Sequence, residues 1–459
     1  MPNELGTPQR PLRVAIVGSG PSGFYAAESL LKTEHTILVN MFERLPAPYG
    51  LVRYGVAPDH QKIKNVIKVY EKTALHENFT YFGNVKIGKD INLHQLRKFH
   101  DAVIFATGAE TDRKLGIDGE DLPGNHTATE FVGWYNGHPD YRHHQFDLSC
   151  EVAVIIGQGN VAMDVARILC KTIDELKDSD ISQHALDVLA QSKVKEVHMI
   201  GRRGPIQAAF TPVEIREFGE LADCETIIKK EDLELNFASQ RELEAPENAP
   251  RKKNYQILQE LAAKDYDKKN KKFVIHFRES PAAIAGKGKV EKVFIEKNKL
   301  IGDPGKQKSQ GTGEKYTLEC GIVFRSVGYR GLPLKGLPFH DQWGIIPNNE
   351  GRVEDSEHNF PGLYTVGWIK RGPSGVIGSN KPDADETVKH LLEDMNDLNP
   401  CKNPNNKMLT DLMDELSVKY ISFEEWKKID AEEILNGEKV GKPREKFTTV
   451  EEMLKIIGK

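Results

Sequence analysis

Short, almost wholly apolar runs recur along the 459-residue chain and are separated by longer stretches with helical spacing. The runs fall at residues 14–17, 37–42, 101–108, 152–156, 196–201, 319–327 and 363–368. A strand covered on both faces has no polar side to alternate, so continuous β-branched runs of this length predict parallel strands. The helical stretches between them predict α/β architecture. Helices are expected over 62–75 and 383–395, and 170–193 reads as a polar helical insertion. Residues 272–277 and 290–295 read as two strands flanking a turn at Gly286-Lys287-Gly288, and 396–459 as a polar helical tail anchored by Trp426.

Two of the runs end in glycine patterns. After residues 14–17 comes Gly18-Ser19-Gly20-Pro21-Ser22-Gly23, a GxGxxG turn that continues into helix-forming sequence. Gly18 permits the tight turn, Gly20 lets the backbone approach a pyrophosphate, and Gly23 lets the helix lie close to the strand. The phosphates would sit on free N–H groups at the positive end of the helix. Glu43, twenty residues after Gly23, ends the next strand where an acid binds ribose hydroxyls. Residues 44–60 are rich in proline and glycine yet apolar, and predict an ordered covering loop.

The device is repeated at Gly157-Gln158-Gly159-Asn160-Val161-Ala162, after the run 152–156. Two cradles imply two dinucleotides. Here the next strand ends in Arg202-Arg203, where the first unit has Glu43. Guanidinium forks bind a ribose 2′-phosphate that a carboxylate would repel, so the second cradle is expected to prefer NADP. The alternative is a solvated basic pair. Later, the glycine- and proline-rich residues 366–378 lie after a strand and before a helix, where backbone N–H groups and Trp368 can crowd a flat ligand such as a flavin.

Length predicts two or three domains. A net charge of −5 gives no support to general nucleic-acid binding, and no apolar run reaches the span of a bilayer. Residues 1–10 have no apolar signal core and one arginine, which predicts a cytoplasmic protein, or a mitochondrial matrix protein after removal of a presequence. The five cysteines are scattered singly, so no disulfide, iron-sulfur or metal site is expected from local spacing. Short basic clusters at 229–230, 251–253, 268–269 and 271–272 read as solvated surface or as a docking face for an acidic protein. Hydrolase, kinase and zinc-protease motifs do not occur.

The motifs at residues 50–60 (GLVRYGVAPDH), 157–167 (GQGNVAMDVAR), 201–205 (GRRGP) and 366–378 (VGWIKRGPSGVIG) resemble the adrenodoxin-reductase type of ferredoxin–NADP reductase, bacterial members included. The resemblance covers nearly the whole chain. It implies an α/β fold of two Rossmann-like dinucleotide-binding domains, with an NADP domain (109–330) inserted into a discontinuous FAD domain (1–108 and 331–459, its tail starting near 396). It implies FAD contacts at Ser22, Glu43, Leu51, Ile87, Trp368, Gly375, Val376 and Ile377. NADP contacts are implied at Gln158, Gly159, Asn160, Val161, Arg202, Arg203, Glu214 and Gly375. His60 and Asp164 are implied as a proton relay or orienting pair, the bland alternative being that His60 pins its loop and Asp164 pairs locally. Arg216, with the cluster at Arg251, Lys252 and Lys253, is implied in docking an acidic ferredoxin-type iron-sulfur protein.

The activity implied is an NADPH-dependent FAD reductase, monomeric, that passes electrons singly to that partner. Two other readings remain open. One is an electron-input module like the small subunit of glutamate synthase, which carries a cysteine-rich cluster domain that this N-terminal region lacks. The other is a non-enzymatic NADP-binding redox sensor, which would hold no flavin.

Overall fold

The computed structural model describes residues 5–264 and 269–459. Lys268 of the 268–269 pair and residues 1–4 of the N-terminal segment lie outside the described residues. The chain divides into two compact units. One comprises residues 1–56, 60–111 and 328–459, and the other residues 57–59 and 112–327.

The first unit is built on a seven-stranded sheet. Four parallel strands, Ala102–Phe105, Leu12–Val17, Ile37–Phe42 and Phe79–Phe82, follow one another in that order to one edge. Strand Asn359–Thr365 joins in parallel beside Ala102–Phe105, and two short antiparallel strands continue the edge. The unbroken apolar runs have a direct cause. In Leu12–Val17, Val14 and Ile16 enter one core while Ala15 and Val17 enter another, so every position is buried. Helices Pro21–Leu31 and Asn380–Glu393 pack on each other. The tail forms helices Asn406–Glu415, Phe423–Glu438 and Val450–Ile456, and Trp426 is fully buried as its anchor.

The second unit holds a six-stranded, wholly parallel sheet in which Val152–Ile156 lies between Ile322–Arg325 and Glu196–Gly201. Ala153 and Ile155 face its larger core, and Val154 and Ile156 face a smaller one shared with a three-stranded antiparallel sheet. That sheet, Glu279–Ala285, Lys292–Ile301 and Lys308–Glu319, corrects the sequence reading. Residues 286–288 do turn a hairpin, but its first arm is Glu279–Ala285, while Lys271–Phe277 belongs to the parallel sheet. Arg278, with φ of 57°, makes the corner between the two sheets.

Two further expectations are adjusted. The helix at 62–75 is two helices, Gln61–Lys64 and Ile67–Ala74, joined where the Val66 and Lys68 N–H groups donate to Ile63 and Asn65 three residues back. Trp368 opens a one-turn helix, Trp368–Arg371, beyond the strand that was expected to contain it.

Candidate functional site

Both glycine patterns fold into the cradle their spacing predicts. Gly18 has φ of 108°, and a Cβ there would stand 2.5 Å from the Ala106 carbonyl oxygen. Gly157 repeats this with φ of 126° against Ser326 O. Each turn leads into an eleven-residue helix, Pro21–Leu31 or Asn160–Cys170, whose N-cap is a glycine with no side-chain cap. Around Gly20 and Gly159 a Cβ would meet nothing within 4 Å. Uncapped N–H groups facing open space at a helix start fit a diphosphate, and here that fit occurs twice.

In the first unit, Glu43 shapes the cradle as well as ending the second strand. Its Oε2 accepts from the Ser19 N–H (3.0 Å) and Oγ (2.7 Å), and its Oε1 accepts from the Leu45 N–H (3.2 Å). A carboxylate has lone pairs left for ribose hydroxyls. Ser22 is buried, and its hydroxyl donates to Asn380 Oδ1 (3.1 Å), tying the cradle helix to Asn380–Glu393. Leu51 is exposed on the one-turn helix Leu51–Tyr54, and Ile87 is buried. Gly50 lies so near the cradle that a Cβ on it would stand 2.9 Å from Gly20 Cα.

Trp368 stacks on Tyr329 (5.3 Å between ring centres) and donates from its indole N–H to Ser374 O (3.1 Å). Gly375 and Val376 are exposed and Ile377 is half-buried in the loop that follows. This loop borders a recess of about 380 Å³ lined by Arg371, Ser374, Gly375, Ser379 and Asp383, among others. Arg371, part of the 366–378 motif but given no role of its own there, donates to Asn380 Oδ1 (2.8 Å). His60, half-buried, stands at the N-cap of Gln61–Lys64 in this unit.

In the second unit the side chain of Gln158 donates to His276 O (2.8 Å), and Asn160 Oδ1 accepts from the Thr211 N–H (2.9 Å), while Val161 packs against the core. The backbone oxygens of Arg202 and Arg203 are fixed by the Asn298 side chain (3.2 Å) and the Arg278 N–H (2.8 Å). Their side chains are exposed, and neither has a carboxylate within 4.0 Å among the described residues. A pinned turn carrying two uncompensated guanidinium groups fits a phosphomonoester.

Asp164 and Glu214 are brought together by Arg167, a fully buried residue the sequence reading overlooked. Its Nη2 donates to Asp164 Oδ1 (2.6 Å), its Nη1 to Glu214 Oε2 (2.8 Å), and its Nε to Asp59 Oδ2 (2.9 Å). Glu217 lies 3.2 Å from the same Nε, and Lys171 pairs with Asp59 (2.7 Å). Burial opposes ionisation of Asp59, but the hydrogen bonds and charge of Arg167, with Lys171, outweigh it and hold the carboxyl well below its usual range. The legible signal was its position: three residues after Asp164, on a helix whose neighbouring positions are apolar.

The matches to known proteins agree with this architecture. The model of the pyridine nucleotide-disulphide oxidoreductase family matches residues 12–374. The NADPH-ferredoxin reductase FprA of Mycobacterium tuberculosis (strain H37Rv) is 44% identical, with 97% of this chain and 99% of that protein aligned. This chain belongs to that family. Within it, the mitochondrial NADPH:adrenodoxin oxidoreductase of Arabidopsis thaliana is 43% identical over 97% of this chain and 95% of its own length. A solved structure of Mycobacterium tuberculosis FprA in complex with NADPH superposes with a TM-score of 0.92 at 44% identity, covering 97% of this chain and 99% of that one. In the terms of the family's α/β fold, the two cradles are the Rossmann-like turns of two dinucleotide-binding units.

Proposed function

We propose that this pyridine nucleotide-disulphide oxidoreductase is an NADPH-dependent FAD reductase that delivers electrons one at a time to a ferredoxin-type iron-sulfur protein. The observation that carries the reading is the contrast between the two cradles, one ending in Glu43 and the other in Arg202 and Arg203, which have no carboxylate within 4.0 Å among the described residues. The charge contrast assigns NADP to the second unit (57–59 and 112–327, close to the expected 109–330) and leaves the first (1–56, 60–111 and 328–459) for FAD. When bound, NADPH supplies a hydride, and FAD accepts two electrons and releases them singly.

In this reading the backbone N–H groups at Gly20 and Ser22 hold the FAD diphosphate, Gly18 makes the turn with its own N–H donated to Phe42 O (2.8 Å), Gly23 lets the helix lie on the strand, and Glu43 holds ribose hydroxyls. Leu51, Ile87, Trp368, Gly375, Val376 and Ile377 border the flavin. Gln158, Gly159, Asn160 and Val161 hold the NADP diphosphate, with Glu214 at the nicotinamide. The ion pair with Arg167 favours an orienting role for Asp164 over proton transfer. His60 is the residue left to handle a proton, since a histidine changes charge near neutral pH. The His60→Gln variant is expected to alter the pH profile of flavin reduction by NADPH, followed by stopped flow; an unchanged profile removes His60 from that role.

A visible spectrum of the purified protein tests the cofactor, and the absence of flavin bands ends the reading. Coenzyme choice is tested by comparing NADPH with NADH. Arg202→Ala is expected to lower kcat/KM for NADPH by about tenfold, the scale of one charge-assisted contact, and to leave NADH nearly untouched. Equal use of both coenzymes by the wild type refutes the NADP assignment.

For the partner we propose an acidic protein docking on a basic face. Arg216, Lys252 and Lys253 are exposed, and none has a carboxylate within ion-pair distance among the described residues. Their helices, Pro212–Glu217 and Ala249–Ala262, pack together. Arg216→Glu is expected to slow ferredoxin-dependent cytochrome c reduction by about tenfold at low salt and to flatten its salt dependence, with ferricyanide reduction unchanged. Salt-insensitive wild-type turnover would sink this face. We further place the protein as a monomer in the cytoplasm, a reading supported by its likeness to a bacterial relative and tested by sedimentation and fractionation.

A further inference from the structure

Beside the turn of Arg202 and Arg203 lies a buried polar group to which the coenzyme reading gives no task. Glu242, on helix Phe237–Glu244, is 4% exposed. It accepts from Gln207 Nε2 (3.1 Å) and from the Gly305 N–H (3.2 Å), and it pairs with Arg251 Nη1. Gln207 in turn belongs to the basic turn. Its N–H donates to Gly204 O (3.1 Å), and a Cβ on Gly204 would stand 2.9 Å from Gln207 Oε1.

Arg251 reaches this place because its helix, Ala249–Ala262, is fastened just beyond the turn, where the Asn254 side chain donates to Phe210 O (2.6 Å). The two guanidinium groups feel each other. Burial first, then the charges of Arg202 and Arg251, pull Arg203 below its ordinary value, and Glu242 partly offsets them. Glu242 engages Nη1, yet the Arg251 side chain remains 43% exposed, which leaves further donors open. Lys252 and Lys253, the next two residues, point instead to an exposed surface.

We propose that Arg251, held by Glu242, is a third guanidinium of the 2′-phosphate subsite and a determinant of selectivity for NADPH over NADH, separate from the docking face of Lys252 and Lys253. The proposal rests on the NADP assignment of the second cradle. A phosphomonoester carries nearly two negative charges, and a buried carboxylate beside it would repel it. Arg251 cancels that carboxylate and adds donors to the pair already present.

The test is calorimetric titration of the flavin-containing protein with 2′,5′-ADP and with 5′-AMP. Arg251→Gln is expected to weaken 2′,5′-ADP binding by about fivefold, the scale of one half-exposed charge-assisted contact, while 5′-AMP binding stays as in the wild type. Arg251→Lys, which keeps the charge but not the fork, is expected to lose about twofold. The double variant Lys252→Gln/Lys253→Gln is expected to keep wild-type affinity for 2′,5′-ADP. An unchanged 2′,5′-ADP affinity in Arg251→Gln overturns the proposal, and so does an equal loss for both ligands, which would mark a structural role only. Should Arg251→Gln fail to fold, Arg251→Lys decides by the same difference between the two ligands. A wild type that does not distinguish 2′,5′-ADP from 5′-AMP overturns the NADP assignment and this proposal together, whereas a selective wild type with an unchanged variant overturns this proposal alone.

Discussion

Gly20→Ala is expected to give a folded protein without its yellow colour, and Gly23→Ala a protein that is colourless because its flavin unit is not properly folded. The two glycines stand three residues apart and meet different surroundings. A Cβ on Gly20 touches no protein atom within 4 Å, so the chain tolerates it, but it occupies the space over the helix start where the diphosphate would lie. A Cβ on Gly23 runs into the Gly18 carbonyl oxygen and lies 3.4 Å from the Ile16 side chain. Backbone cannot yield as a side-chain tip can, so the helix must leave the strand, at a cost of about 3 kcal/mol. Flavin absorbance and thermal melting of both variants separate the outcomes. Full flavin content in Gly20→Ala would mean that the diphosphate lies elsewhere.

The second large effect is expected far along the chain. Arg53 and Glu433 form a buried pair at 2.5 Å, with 3% and 0% of their side chains exposed. Glu433 also accepts from the Phe447 N–H (3.0 Å) and lies 3.3 Å from Arg444, while the Arg53 guanidinium lies over the rings of Tyr54 and Trp426, 5.0 Å from each centre. Glu433→Gln leaves that guanidinium in the interior without its counter-charge, which typically costs about 3–5 kcal/mol. The Arg53→Met/Glu433→Leu double variant is expected to recover part of the loss, because an apolar pair of similar volume carries no desolvation penalty although the Phe447 N–H loses its acceptor. Denaturant unfolding checks both, and a loss below about 1 kcal/mol in Glu433→Gln would show that the pair contributes little.

Sequence and structure agree where burial is two-sided. The runs at 37–42, 152–156 and 196–201 are strands with those bounds, since a parallel strand between two cores has no solvent-facing side to break its apolar run, and its few polar residues, such as Asn40 and His198, are themselves buried. The antiparallel sheet was hidden for the opposite reason. Lys308–Glu319 is almost wholly exposed, and its lysines, glutamates and glycines give no apolar run to read. The glycine turns, Glu43 and the arginine pair were legible because their chemistry lies in local spacing. Arg167 and Glu242 were not, since a charge on a helix ordinarily reads as solvated, and only the fold sets Asp59, Asp164 and Glu214 around one and Arg251 against the other.

The Arg53–Glu433 pair also joins the two ends of the chain. The glycine turn and the loop that packs on it lie within the first 54 residues, yet the carboxylate that neutralises the loop's buried arginine stands 380 residues further along the chain. Without Glu433 the loop would carry an interior guanidinium with no counter-charge. Glu433 thus couples the loop beside the first cradle to the C-terminal tail, so that loop and tail are held together by a charge neutralisation neither can supply alone.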